Sequence, residues 1–113
     1  MRIVEDKITL AELREMAQSM FGSFVKAVVD VERGIMVVDA GMHADEETEL
    51  LSGGSRHENL WGINLYPDEE ADAFLEFDSM INLRPAQNNR SRGVESAEIR
   101  ERIARIVGGL VQK

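Results

Sequence analysis

The chain has 113 residues, and its 13 Lys and Arg against 21 Asp and Glu give a formal net charge of −8. That length suits one domain over residues 1–113 with a core of its own. The absence of cysteine excludes disulfides, thiolate zinc sites and cysteine nucleophiles, and the acidic balance disfavours nonspecific nucleic-acid binding, which depends on Lys and Arg at phosphates.

Residues 1–4 suit a short edge strand. Thr9-Leu10-Ala11-Glu12 reads as a capping box, with Ile8 and Leu13 spaced as a hydrophobic staple across it. Leu10, Leu13, Met16, Ala17 and Met20 then recur at helical spacing, and Gly22 is placed to end that helix. Residues 24–31 alternate as a strand, with Val25, Ala27, Val29 and Val31 on one face and Lys26 and Asp30 on the other. Glu32-Arg33-Gly34 turns the chain into a second strand, 35–38, which is apolar on both faces and therefore central in a sheet. Residues 45–51 fit either a short helix or a hairpin arm. The hairpin is favoured because Gly53-Gly54 leads straight into a strand at 60–66, with Trp61, Ile63 and Leu65 on its core face.

Pro67 ends that strand, and the acids of 68–72 read as a solvated loop. Residues 74–84 alternate strictly, Leu75, Phe77, Ile81 and Leu83 against Glu76, Asp78, Asn82 and Arg84, up to the stop at Pro85. A last helix opens at Ser96, an N-cap residue, with an apolar stripe from Ile99 to Val111 and two i,i+4 pairs, Glu98–Arg102 and Glu101–Arg105. The expected fold is α+β: two layers, a mainly antiparallel sheet of four to five strands, and the N-terminal and C-terminal helices on one face. The other sheet face, carrying Leu60, Asn64, Tyr66, Phe74, Met80, Asn82 and Arg84, is semi-apolar, so self-association as a homodimer is expected there. The N-terminus turns acidic at Glu5-Asp6 and no apolar run reaches membrane-span length, which predicts a cytoplasmic protein without membrane contact.

Val25-Lys26-Ala27-Val28-Val29-Asp30, His43-Ala44-Asp45, Leu60-Trp61-Gly62-Ile63-Asn64, Ile81-Asn82-Leu83-Arg84-Pro85 and Asn89-Arg90-Ser91 form a succession spread over nearly the whole chain. In these segments it resembles a small bacterial and archaeal family classed only as a domain of unknown function. The resemblance implies a small one-domain prokaryotic protein and carries no catalytic role.

One segment departs from the general acidity. Residues 79–94 contain no acid and three of the Lys/Arg side chains, Arg84, Arg90 and Arg92, with Asn82, Asn88 and Asn89 among them. Guanidinium groups bind phosphate and carboxylate in fork geometry, and the following helix N-terminus adds free N–H groups. The segment is therefore a candidate site for a small anionic ligand or a partner. The competing reading has the arginines pair with nearby acids and the asparagines build turns. His43 and Asp45, which would share a face on a strand, are the candidate acid–base pair, with His57 over Asp45 or Glu47 in the hairpin arrangement. Neither residue belongs to a metal signature, and no cofactor motif is present. The expected function is a noncatalytic binding or regulatory module contacting its ligand through Arg84, Asn88, Asn89, Arg90, Arg92 and Asn82. The alternative is a small enzyme on an anionic substrate, held by Arg84 and Arg90, with His43 and Asp45 moving protons.

Overall fold

In the computed structural model, which describes residues 1–113, the chain passes through β1 (Arg2–Val4), β2 (Ile8–Thr9), α1 (Leu10–Ser19), β3 (Val25–Asp30), β4 (Ile35–Val38), α2 (His43–Ser52), β5 (Leu60–Leu65), β6 (Leu75–Glu76), α3 (Ala97–Leu110) and β7 (Val111–Gln112). The fold is α+β, with three helices and a five-stranded antiparallel sheet in the order β1-β4-β3-β5-β6; β2 and β7 form a separate parallel pair. No helix is long and apolar enough to cross a membrane.

Local chemistry accounts for the helix and hairpin boundaries. The Thr9 hydroxyl accepts from the Glu12 N–H at 3.1 Å, and the Ser96 hydroxyl accepts from the Ile99 N–H at 3.2 Å. The Glu12 carboxylate pairs with Arg2 rather than closing the capping box. Arg102, expected to pair with Glu98, instead donates to the Val31 carbonyl at 2.8 Å and ties α3 to the β3–β4 hairpin. Gly34 turns that hairpin at φ +69°.

Two buried clusters form on the sheet. Leu13 and Ala17 of α1 and Ile103, Val107 and Leu110 of α3 pack with Val25, Ala27 and Val29, together with Trp61, Ile63 and Leu65. The alternate residue Val28 joins Val37, Leu60 and Leu50 of α2 in a second cluster. Here the structure corrects the hairpin expected around residues 45–59. The chain there is helix α2, whose buried positions His43, Glu46 and Leu50 have helical spacing. A histidine and a glutamate in the stripe disguised it. The helix packs Leu50 against Leu60 on the face expected to meet a second copy and leaves Met80 exposed there.

The strand expected over 74–84 is also corrected. Only Leu75–Glu76 pairs with β5; Met80–Asn82 and Pro85–Gln87 are 3-10 turns. At Gly62 an added Cβ would fall 2.5 Å from the Ser79 Cβ, so the returning chain lies too close for a side chain there. Beyond Glu76 it makes no backbone ladder with β5. Side chains take its place. The Asn82 carboxamide accepts from the Gly62 N–H at 2.8 Å and donates to the Gly62 carbonyl at 2.9 Å, the two bonds a facing strand residue would make. The Arg84 guanidinium donates to the Leu60 carbonyl. We expect Gly62→Ala to lower the unfolding free energy in urea by about 1–3 kcal/mol through overpacking, although Ala is the better strand residue.

Glu46 is fully buried under α2; Ala40 N–H donates to its Oε2 at 3.2 Å while Oε1 has no partner. Burial raises its pKa to about 9, the Ala40 bond opposing the shift, so the folded protein holds it protonated at neutral pH. The unfolded chain releases that proton above pH about 4.5, so Glu46 costs nothing below that pH and lowers stability as pH rises towards 9. Urea unfolding from pH 5 to 8 should show wild type losing roughly 4 kcal/mol relative to Glu46→Gln, which has no proton to lose.

Candidate functional site

The arginine and asparagine residues of 82–93 lie together at the free edge of β5; the side chains of Asn82, Arg84, Asn89 and Arg92 have partners within the chain, while Arg84 Nη1 is buried without one and Asn88 and Arg90 make no side-chain pair. Asn89 is buried, and its amide donates to the carbonyls of Asn82 at 2.7 Å and Gly93 at 2.8 Å, while its oxygen accepts from the Glu95 N–H at 2.8 Å. Arg84 and Asn89 also exchange both backbone hydrogen bonds, closing a tight loop in which Asn88 takes φ +61°. Asn88 and Arg90 are exposed. Arg92 pairs with Asp78 at 2.7 Å.

The loop does bind an anion, and the anion belongs to the chain. One oxygen of Glu95 accepts from the backbone N–H groups of Arg90 and Ser91, the latter at 3.0 Å. Successive N–H groups converging on one carboxylate make an anion nest. This acid stands one position beyond the acid-free segment 79–94.

Arg84 is only 6% exposed. Besides the Leu60 carbonyl, its Nε donates to Ile81 O at 3.1 Å, its guanidinium carbon lies 4.6 Å from the Trp61 ring centroid, and Nη2 is 3.7 Å from Glu47 Oε2. Burial lowers its pKa and the Glu47 carboxylate opposes that shift. The same Glu47 oxygen is 3.4 Å from Nε2 of the exposed His57. A Glu47 contact with His57 was the arrangement the hairpin reading asked for; a 3-10 turn at His57–Asn59 supplies it instead.

His43 and Asp45 are not brought together. On a helix, residues two apart face different directions: His43 is buried and Asp45 exposed. The His43 Nε2–H donates to the Ile63 carbonyl at 2.7 Å, and burial lowers its pKa. It is a neutral ring fastening the start of α2 to β5.

A cleft of about 800 Å³ lies elsewhere, between α1, α3 and residues 67–77. Its floor is apolar: half-buried Leu10, Phe74, Leu75 and Phe77, and buried Val107. Ala97, Ala104 and Gly108 of α3 keep one wall low. Glu69, Glu70 and Asp72 form the opposite rim, so the acids read as a solvated loop border this cleft. The sequence signal for it was those carboxylates standing beside Phe74 and Phe77.

The sequence model of a family described as a protein of unknown function (DUF5674) matches residues 2–110, and the chain belongs to that family. No curated protein and no solved structure gives a match.

These contacts make Arg84 a structural residue. Arg84→Ala strands Glu47 and the Leu60 carbonyl, and should cost roughly 3–5 kcal/mol in urea unfolding. Arg90→Ala should stay within about 0.5 kcal/mol of wild type.

Proposed function

We propose, starting from that membership, that the protein is a noncatalytic binding module whose ligand sits in the cleft between α1, α3 and residues 67–77. One observation carries this reading: the cleft combines a volume of ligand size with apolar side chains open to solvent. Its volume of about 800 Å³ falls in the range of ligand pockets. Its walls contain carboxylates, Arg14, Arg100 and Lys113, but no histidine, serine, cysteine or tyrosine. That inventory suits holding a ligand more than transferring a group.

The loop at 84–93 is the weaker candidate. An incoming anion there competes with Glu95 for the backbone nest, with Asp78 for Arg92 and with Glu47 for Arg84. The enzyme reading has less support still, because the His43 proton is committed to a backbone carbonyl.

Gly108 offers a clean test. It lines the cleft, and an added Cβ there meets nothing within 4 Å. Gly108→Leu therefore fills the cleft while improving helix propensity by about 1 kcal/mol. With Nile red as a neutral apolar probe, wild type should give saturable, blue-shifted fluorescence. Gly108→Leu should lose it at equal or higher thermal stability. Equal dye binding by both proteins contradicts the reading.

A further inference from the structure

We infer that the occupant of the cleft is a short basic amphipathic helix presented by a partner protein. This rests on the cleft being the binding site and adds the chemistry of what enters it. The first argument is charge. Glu69, Glu70 and Asp72 stand on one rim and Glu101 of α3 on the other; all four are exposed, and none takes part in an ion pair within the chain.

Three cations share that lining, Arg14, Arg100 and Lys113, and of these only Arg14 is ion-paired. Arg14 is paired with Asp68 at 2.9 Å, and Arg100 turns its Nη1 to the carbonyls of Val94 at 2.6 Å and Glu95 at 3.0 Å. With five carboxylates, Asp68, Glu69, Glu70, Asp72 and Glu101, against three cations, the lining is net negative, on a protein whose net charge is −8. An apolar ligand with positive flanks matches both features, and the unpaired acids would steer it in.

The second argument is shape. The lining follows α3 from Ala97 to Val111, a length of about 21 Å at 1.5 Å per residue. That is longer than a compact metabolite and equals roughly four turns of a second helix. The low wall of Ala97, Ala104 and Gly108 lets a helix approach α3 closely, and Phe74 and Phe77 offer apolar contact to anchors at i, i+3/i+4 and i+7. A helix laid in a groove needs an apolar stripe and a polar back; here the acidic rims specify Lys and Arg beside the stripe.

The test uses the full chain and two designed peptides of about fourteen residues. Both have leucine at helical spacing; one carries Lys and the other Glu at the remaining positions. Binding is read by fluorescence polarisation and mapped by amide shifts. The Lys peptide should bind saturably with shifts confined to residues 67–77 and 97–111. The Glu peptide should bind at least about tenfold more weakly. The combined variant Glu69→Gln, Glu70→Gln, Asp72→Asn should lose about tenfold for the Lys peptide alone, and added salt should erase that difference.

Gly108→Leu should abolish binding without changing the charge. Equal binding of both peptides in the cleft overturns the charge inference and keeps the cleft. Nile red binding without either peptide overturns the helical partner and leaves a small-molecule pocket. Lys-peptide binding untouched by Gly108→Leu means general attraction to an acidic surface, and overturns the inference even where the dye still reports the cleft.

Discussion

The fold turns on how the edge of β5 is closed. Strand β6 pairs with Asn64 and Leu65 only, so the backbone groups of Leu60 and Gly62 on that side have no strand to meet. Unpaired buried peptide groups are costly, and an open edge invites pairing with other chains. The returning segment solves both with side chains: Asn82 stands in for a peptide at Gly62, and Arg84 reaches the Leu60 carbonyl. Asn82 and Asn89 are buried as a consequence, and Gly62 has to lack a side chain for the segment to come close.

That closure explains the distribution of charge. Arg84 at the edge has Glu47 of α2 as its neighbour, 3.7 Å away. The loop that follows needs a carboxylate to gather its N–H groups and finds Glu95. An acid-free segment in an acidic protein is thus a region whose acids arrive from outside it. At the cleft the opposite holds. There Glu69, Glu70, Asp72 and Glu101 have no cation of their own, and the negative charge is left facing outward.

The sequence was legible wherever a single short-range pattern decides the structure. Thr9 and Ser96 cap their helices, the β3–β4 hairpin turns at Gly34, and the strand at 60–66 ends before Pro67. It was misleading where tertiary contacts override the pattern. The buried stripe of α2 contains His43 and Glu46, one satisfied by a strand carbonyl and the other held protonated, and neither reads as apolar in a sequence. Residues 77–84 alternate as a strand does, yet their polar members pair with β5 through side chains, which periodicity cannot distinguish from backbone pairing. The isolated Gly62 within an apolar strand was the available sign of a close approach. Of the cleft only the carboxylates beside Phe74 and Phe77 were visible, because its walls come from three separated segments that only folding assembles.

The amide proton of Gly62 reports on this account most directly, through native-state hydrogen exchange. If the Asn82 carboxamide closes the edge, Gly62 exchanges only with an opening free energy close to that of its β5 neighbours. Exchange at the rate of an exposed edge amide, orders of magnitude faster, would mean that the edge stands open and that the segment at 79–93 is not what holds the sheet together.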